Sequence, residues 1–553
     1  MFVVRRKLPG AQRWCVILCR SVRNGAKVSQ ETIKYFGVAH GEEQCKALVA
    51  QANQEIEALK KKNAEQTTAP TILPATEVVT RSPGALLDNM VERYRATEGF
   101  HVILGPVFDS LALSPLLSKI RYNQLRDVVI ARVAQPASKA RTAKLLQNTF
   151  LRPLSEDQIY RLMDELEDLE AAVQAKVFAE TQRLLGERPV DLLLFDVTTL
   201  YFESQSSDEL REFGYSKDHK IGETQVVLAL ATTHTGSPIG YHLFQGNTAE
   251  VSTLLECLTK WKEIFDIKNV VVVADRAMMS EDNLVEMEKQ NLTYVVAAKL
   301  RAMPKALKTK IVDRKDEVIQ EFDGERINIQ EHEYNGRRLI VQHSESRAKK
   351  DATDRDRLLI KVRKKLDASN KIDVQKLVTN RGYLKFVDKE KQGEVVLNEE
   401  KITEDKRWDG LHGVITNDKT SAALDLLKRY RNLWVIEESF RINKHTLSMR
   451  PIYHFTPRRI RAHILICYLA FAVTRYAQQR INIFDQGLSI ENIRDALATI
   501  EVSILEDQTT GKHYKLPSQL GKEAKMICRA MGITRESSPV ACSAQPAYKC
   551  SVI

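Results

Sequence analysis

Two apolar, β-branched runs that each end in an aspartate constrain the fold of this chain more than any other feature. "LLLFD" ends at Asp196 and "VVVVAD" ends at Asp275. Strand-like runs at 224–234 and 238–245 lie between them, and the turn residues "TGS" that separate these runs predict a hairpin. With that hairpin on one edge of a sheet, the first and fourth strands lie side by side and bring the two acids together. Two close carboxylates can both stay ionised only with a cation between them.

The order of the elements predicts a mixed α/β sheet. The helical segments "AEVSTLLECLTKWKEIF" and "SEDNLVEMEKQ" flank the fourth strand, and "TYVVAAKL" follows as a fifth strand. Right-handed crossovers from strand to helix to strand would make these later strands parallel. Beyond residue 301, a hairpin signal at Asn335-Gly336 and further strand-like pieces up to "GVITN" predict an inserted, partly β subdomain.

A third acid is expected on a helix that packs against the sheet. The segment "YRNLWVIEESFRINK" offers Glu437 and Glu438, which lie about 100° apart around a helix. Tyr430, Glu437 and Lys444 are spaced by seven residues and are predicted to share one helix face, with Arg441 one turn beyond Glu437. Glu437 is therefore the candidate metal ligand, and oxygen ligands of this type suit Mg²⁺ or Mn²⁺. Taken singly, each acid has an ordinary explanation: an aspartate at a strand end often caps a turn, and a glutamate often forms a surface ion pair.

Shifts in composition and periodicity divide the chain into segments. The stretch "AEQTTAPTILPATEVVTRSPG" has no periodicity and is typical of a linker, and Ser155 with Gln158 predicts a capping box at a helix start. The predicted segments are a small N-terminal β-containing module at 1–65, a linker at 66–84, a helical region for DNA binding at 85–188, the first part of the core at 189–300, a β-rich insertion at 301–415, the second part of the core with the glutamate helix at 416–478, and a C-terminal helical region and tail at 479–553.

The net charge of +11 indicates a polyanionic partner, of which nucleic acid is the commonest. Basic residues recur in the helical region and near a later helix start, where they either contact DNA or form solvated helix faces. They are Lys119, Arg121, Arg126, Arg132, Lys139, Arg141 and Lys144, and Arg458, Arg459 and Arg461.

The apolar run at 464–473 is too short to cross a bilayer and predicts a buried helix. The start of the chain lacks the apolar core of a signal peptide. The whole chain has eight scattered cysteines and no C-x-x-C pair, which is typical of reduced thiols in a cytosolic protein.

Taken together, "FDVTTLYFES", "VVVADRAMMS", "YVVAAKL" and "YRNLWVIEESFRINK" resemble the motifs of a bacterial insertion-sequence transposase of the DDE class, over residues 190–475. The resemblance implies an α/β fold with a ribonuclease H-like mixed-sheet core, a β-rich insertion that interrupts it and a helical N-terminal region. It also implies that Asp196, Asp275 and Glu437 form the catalytic triad and hold two Mg²⁺ (or Mn²⁺) ions.

The resemblance further implies contacts to DNA. Tyr430 and Lys444 match positions that contact DNA near the cleaved phosphate, whereas the position of the signature arginine holds Leu433. Either Arg431 or Arg441 could supply the missing charge.

Two further residues are candidate DNA contacts. Arg276 directly follows the second aspartate and could reach a phosphate. Trp408, the one tryptophan within 301–415, is a candidate for stacking on a flipped base, with a place in the core as the alternative.

The mechanism that the resemblance implies is metal-dependent phosphoryl transfer, in which water frees a 3′-OH at a transposon end and this 3′-OH attacks target DNA. The expected partners are double-stranded DNA, as inverted-repeat ends and target, and a second copy of the chain in a homodimer. The expected location is the bacterial cytoplasm, at the nucleoid. Two alternatives stay open: a metal-dependent nuclease that cuts without joining, and a catalytically dead DNA-binding regulator on the same fold. The last segment, 536–553, predicts disorder.

Overall fold

The computed structural model divides the chain into two compact units, Met1–Gly84 and Ala85–Ile553. The residues that it describes are 2–7, 13–24, 27–65, 89–186, 192–202, 206–214, 223–265, 271–275, 280–322, 324–367, 382, 385–389, 395–483, 487–536 and 538–542. The predicted linker at 66–84 lies outside the described residues.

The N-terminal unit contains a three-stranded antiparallel sheet with a helix against it. β1 (Phe2–Lys7) pairs with β2 (Arg13–Asn24), which pairs with β3 (Lys27–His40), and α1 (Glu42–Glu65) follows. Val16 and Ala39 on the strands pack with Cys45 and Ala52 of the helix. Their burial explains why a helix rich in charged residues keeps small side chains on one face.

The second unit contains two larger sheets and layers of helices. Its strands are β4 (Met90–Thr97), β5 (Leu192–Tyr201), β6 (Gln225–Thr232), β7 (Pro238–Gln245), β8 (Val271–Ala274), β9 (Thr293–Ala297), β10 (Val318–Phe322), β11 (Glu325–Tyr334), β12 (Arg337–Ser344), β13 (Val387–Lys389), β14 (Val395–Leu397), β15 (Leu411–Thr416), β16 (Glu501–Asp507), β17 (His513–Pro517) and β18 (Val540–Cys542). Its helices are α2 (Gly99–Asp109), α3 (Lys119–Ala134), α4 (Lys139–Asn148), α5 (Glu156–Leu166), α6 (Glu170–Leu185), α7 (Glu250–Phe265), α8 (Glu281–Lys289), α9 (Lys305–Asp313), α10 (Glu345–Asp367), α11 (Glu399–Lys406), α12 (Ala423–Arg431), α13 (Trp434–Arg441), α14 (Pro457–Asn482), α15 (Ile490–Ala498) and α16 (Lys522–Ala530).

The main sheet has nine strands in the order β10-β11-β12-β15-β9-β8-β5-β6-β7. β5, β6 and β7 are antiparallel neighbours, whereas β5, β8 and β9 run parallel. The predicted hairpin, β6 and β7, therefore lies on one edge, and the strands of the two aspartates, β5 and β8, are adjacent. The prediction of a mixed α/β sheet is confirmed.

The longer strands of the insertion extend this sheet instead of forming a separate one. β15 pairs antiparallel with β9, and β12, β11 and β10 follow outward. These strands cover β9, which would otherwise be an exposed apolar edge of the sheet. Asn335 and Gly336 join β11 to β12 with φ of 53° and 76°, and two positive φ angles are what a type I′ hairpin turn requires. β13 and β14 form a small sheet of their own.

Alternation along the strands gives the main sheet two apolar faces. Leu194 and Val273 belong to the first face, where they share a core with α12, α13 and α14. Phe195 and Ala274 belong to the second face, where they share a core with α7 and α8. The sheet is therefore the middle layer between two layers of helices.

The core helix α14 contains the apolar run at 464–473 that predicts a buried helix. Of the helices that the structure describes, it is the one long and apolar enough to cross a membrane, but 94% of its apolar window is buried in the protein. It packs against α2, α3, α5 and α6. At the start of α5, Ser155 and Gln158 form the predicted capping box.

The regions at 85–188 and after 479, for which the sequence predicts helices, also contribute strands at the two ends of this unit. β4 pairs with β16, and β17 and β18 complete a four-stranded antiparallel sheet. Local periodicity does not show this sheet, because the pairing joins segments about four hundred residues apart and few side chains of β4 are buried. β18 also lies within the tail that predicts disorder, so residues 540–542 are an exception to that prediction.

Candidate active site

Asp196 and Asp275 occupy neighbouring positions on two parallel strands. The register pairs Phe195 of β5 with Ala274 of β8, so the next positions along are the two aspartates. Adjacent strands lie about 4.8 Å apart, which brings both backbones within reach of one ligand. Asp196 is half-buried and accepts a hydrogen bond from the backbone N–H of Val197 at 2.7 Å, whereas Asp275 is exposed.

Both aspartates lie on the first face of the sheet. Leu194 and Val273, two positions earlier on each strand, pack into the core of that face, and side chains two residues apart point to the same side. On this face α12 packs against β8 and β9, and α13 packs against β5. The elements that carry the three predicted acids therefore converge on one side of the sheet.

A cavity of about 1370 Å³ opens between this face and the insertion. Asp275 and Glu437 both line it, together with Tyr430, Arg431 and Trp434. Glu437 is exposed in the first turn of α13. The cavity therefore brings two of the three predicted acids together, while Asp196 on the neighbouring strand lies outside its lining.

The chemistry of these donors fits a hard divalent cation, but the three side chains do not form a cluster as they stand. Carboxylate oxygens are the ligands that Mg²⁺ prefers, and they also suit Mn²⁺. Among the residues that the structure describes, no group of three or more His, Cys, Asp or Glu side chains could hold a metal ion. An ion shared by all three would therefore require side-chain positions other than those in this structure.

The prediction that Tyr430, Glu437 and Lys444 share one face of a single helix is wrong. Hydrogen bonds between residues three apart at Asn432 and Leu433 separate α12 from α13, and Ile442–Thr446 form a π-helical turn after α13. A π-turn holds extra residues per turn and so ends the seven-residue register. Tyr430 and Glu437 line the cavity, whereas Lys444 lies half-buried in the π-turn, outside the lining.

Glu438 is held away from the cavity by an ion pair. Its carboxylate lies 2.8 Å from the guanidinium of Arg475, a buried residue of α14, and 3.8 Å from Arg441, whose side chain is 71% exposed. Arg441 also lies outside the lining of the cavity. The two neighbouring glutamates thus face different surroundings, and Glu437 is the one that faces the cavity.

The position of the signature arginine is part of the core. Leu433 is 7% exposed and packs into the core of the first face, so it supplies no charge at this position. Arg431 lines the cavity, with its guanidinium 4.5 Å from the centre of the Phe322 ring. Beside it, the ring of Tyr430 packs on His412 of β15, with the ring centres 5.1 Å apart. Of the two arginines that could supply the missing charge, Arg431 is the one on the cavity.

The insertion supplies the opposite wall. Trp408 lines the cavity but is only 7% exposed, and the guanidinium of Arg301 lies 5.4 Å from its ring centre. Asp405 behind it is paired with Arg301 at 2.7 Å and with Lys385. Burial alone would raise the pKa of Asp405, but these two cations outweigh burial and lower it. Trp408 is thus a core residue that also lines the cavity, and its stacking on a flipped base stays a prediction.

Trp434 is a candidate residue that the sequence reasoning missed. Its side chain is 57% exposed on the cavity, one helical turn before Glu437. Residues three apart on a helix are neighbours, so the spacing "WVIE" predicts that Trp434 lies beside Glu437.

Several basic residues that could contact DNA have partners within the protein. Arg458 and Arg459 lie 3.2 Å and 2.8 Å from Asp168 and Asp164. Their cluster at the start of α14 is therefore largely neutralised. Arg276 lies outside the described residues.

Arg132 and Lys139 are neither a solvated face nor a DNA-contacting surface. They are 6% and 5% exposed, so both alternatives of the prediction are wrong for these two residues. Arg132 lies on α3 and Lys139 lies on α4, and the side chains of both contact His463 of α14.

Residues 188–473 match the protein family described as Transposase DDE domain. The match covers more than half of the 553 residues, and the chain belongs to this family of insertion-sequence DDE transposases. A comparison with curated proteins found no match. Membership implies DNA binding and DNA transposition, and members generally use divalent metals.

Proposed function

We propose that this chain is the transposase of an insertion sequence, which cleaves transposon ends and joins the freed 3′-OH to target DNA. One observation carries the proposal: Asp275 and Glu437, from distant parts of the chain, line one cavity, and Asp196 is the strand neighbour of Asp275 on the same face. These three residues are the proposed catalytic acids. The homodimer, the inverted-repeat ends and the cytoplasmic, nucleoid-associated location belong to this proposal.

The strand order supports a ribonuclease H-like core. β7, β6 and β5 are antiparallel, and β8 and β9 continue from β5 in parallel, which is the order that such a core has. The insertion enters after β9 and returns through β15, the next strand of the same sheet. The interruption therefore leaves α12 and α13 on the first face, beside the aspartates.

Asp196, Asp275 and Glu437 are proposed to hold Mg²⁺ or Mn²⁺, as two ions. Bound there, divalent ions would activate the attacking oxygen and stabilise the leaving 3′-oxygen. Asp275 and Glu437 are exposed, so their side chains have room to change rotamer on binding, as is common at binding sites. Asp196 is fixed more firmly, because it lies mid-strand and accepts a backbone hydrogen bond.

The proposed DNA contacts divide by place. Tyr430 and Trp408 line the cavity and are proposed as aromatic contacts to a base or sugar, and Arg431 adds a positive charge on the same cavity. Lys444 and Arg441 follow Glu437 along the chain, outside the cavity lining, and are proposed to contact the flanking phosphates. Arg276 is proposed for the same role.

The variants Asp275→Asn and Glu437→Gln test the proposal. Each removes one negative charge with little change of shape, so strand cleavage and strand transfer of a pre-cleaved DNA end should fall by at least about a hundredfold. Binding of the DNA end, measured by gel shift, should stay close to wild type. A matched control is Asp425→Asn on α12, because this carboxylate is 60% exposed and lies outside the cavity lining.

Binding of Mn²⁺, followed by electron paramagnetic resonance, gives a readout that does not depend on activity. Both cavity variants should bind Mn²⁺ more weakly than the wild type and the control. Cleavage without joining by the wild type would favour the nuclease alternative, and full activity of both cavity variants would reject the assignment of the acids.

A further inference from the structure

Three basic side chains meet inside the helical layer of the second unit, at the contact of α3, α4 and α14. They are Arg132, Lys139 and His463, with exposed fractions of 6%, 5% and 4%. Lys139 Nζ lies 3.1 Å from His463 Nδ1, and the guanidinium of Arg132 lies 3.2–3.3 Å from the same ring. We call these three residues the basic relay.

The contacts of His463 define its proton positions. Nε2 lies 3.1 Å from the backbone carbonyl of Met449, and a carbonyl only accepts, so Nε2 carries the hydrogen. Nδ1 is then the acceptor for Lys139, whereas the guanidinium of Arg132 lies about equally far from both ring nitrogens, 3.3 Å from Nδ1 and 3.2 Å from Nε2. Burial and the charges of Lys139 and Arg132 hold the pKa of His463 well below its usual value, which agrees with a neutral ring.

Met449 is the residue through which the basic relay contacts the segment that follows α13, the helix of Glu437. The backbone N–H of Met449 donates to the carbonyl of Asn443 at 2.9 Å, and Asn443 precedes Lys444 in the π-turn. A second tie reaches the same turn, because Arg494 donates to the carbonyls of Thr446 and Ala134 at 3.1 Å and 3.0 Å. Through His463 and Arg494, helices α3 and α4 are therefore connected to the π-turn and to Met449 after it.

We propose that Lys139 and His463 are positioning residues for Lys444. The relay fixes the carbonyl of Met449, Met449 fixes Asn443, and this fixes the backbone from which the Lys444 side chain extends. The inference rests on the proposed function, in which Lys444 contacts DNA. It gives a reason for the burial of three basic residues together, since the burial of polar groups is disfavoured unless they are paired.

A double-mutant cycle between His463 and Lys444 in the full chain tests the inference. The variants are His463→Leu, Lys444→Ala and the pair, and the probe is a duplex that carries the DNA flanking this reading frame. His463→Leu should slow single-turnover cleavage by about tenfold or more, because small misplacements of a contact lower rates strongly. In the Lys444→Ala background it should have no further effect, since it acts through that side chain.

The control variant is His463→Gln, whose amide can donate to Met449 and accept from Lys139 as the imidazole does. It should restore most of the cleavage rate. Lys139→Met provides a second cycle if His463→Leu does not fold, and it should show the same dependence on Lys444.

Two outcomes contradict the inference in different ways. Equal losses from His463→Leu in both backgrounds would leave Lys444 as a DNA contact and reject its positioning by the relay. Wild-type cleavage and DNA binding by Lys444→Ala would remove Lys444 from the proposed function, and the inference with it.

Discussion

Lys139 is an ionisable side chain in a place where its charge is disfavoured. It is buried next to Arg132, and burial followed by the charge of that arginine lowers the pKa of Lys139 to about 7. In the unfolded chain the same amine titrates near its usual value of 10.5. Between these two pH values the unfolded chain binds the extra proton, so the free energy of unfolding should rise as the pH rises from about 7 towards 10.

The variant Lys139→Met should abolish that rise. Methionine fills a similar volume without a charge, so relative to wild type the variant gains stability at pH 7 and loses this advantage by pH 10. The difference should change by up to about 1.4 kcal/mol per pH unit. Urea unfolding at several pH values measures it, with Lys144→Met on the exposed side of α4 as the control. Parallel pH profiles for wild type and Lys139→Met would show that Lys139 keeps its usual pKa.

Asp196 shows how far the sequence predicts the candidate site. A carboxylate within an apolar strand requires a partner, and the order of the elements predicted Asp275 as its neighbour, which the register confirms. The side-chain directions were not predictable, because they depend on rotamers and on the helices above the sheet. For the same reason, the sequence predicts that Arg132 and Lys139 are surface residues. Their spacing fits a solvated face, and only the position of α14 buries them.

The helices α12 and α13 show the same limit at the scale of an element. The pattern predicts one helix, whereas the structure has two, separated at Asn432 and at Leu433, which is buried in the core. The π-turn and Met449 after it contact Arg494 of α15 and His463 of α14, which local periodicity does not show. Hairpins and caps are set by adjacent residues, so the Asn335-Gly336 turn and the Ser155 cap were predictable.

Glu437 and Glu438 are neighbours on α13, and we expect a variant of the first to lower catalysis and a variant of the second to lower stability. Glu438→Gln weakens the ion pair with the buried Arg475 and should lower the free energy of unfolding by about 1–3 kcal/mol. Glu437→Gln should leave it unchanged, because Glu437 is exposed on the cavity. Thermal unfolding and cleavage assays on both variants measure the two effects. Loss of cleavage by Glu438→Gln at an unchanged melting temperature would transfer the catalytic role to Glu438.

At the scale of the whole molecule, the second unit is closed by contacts between its two ends. β4 pairs with β16, and the backbone N–H groups of Glu98 and Gly99 both donate to the carbonyl of Ile500. The start of α2 therefore lies against the end of α15. The insertion does not interrupt this closure, because its longer strands join the main sheet.

Gly99 is the residue at which this closure leaves no room for a side chain. A Cβ there would lie 2.2 Å from the carbonyl oxygen of Leu497 and 2.8 Å from the Cβ of Ile500. Because the first of these atoms belongs to the backbone, Gly99→Ala should force the two ends apart and lower the free energy of unfolding by about 1–3 kcal/mol. Denaturant unfolding followed by tryptophan fluorescence measures this loss.

Gly105 on the same helix is the matched control. A Cβ at Gly105 meets nothing within 4 Å, so Gly105→Ala should raise the stability by about 0.5–1 kcal/mol through helix propensity alone. Opposite signs for the two variants would show that the contact with α15, and not the helix itself, requires glycine at position 99. If Gly99→Ala proved as stable as Gly105→Ala, the close approach of α2 to α15 would not hold the ends of this unit together. The pairing of β4 with β16 would then have to hold them alone.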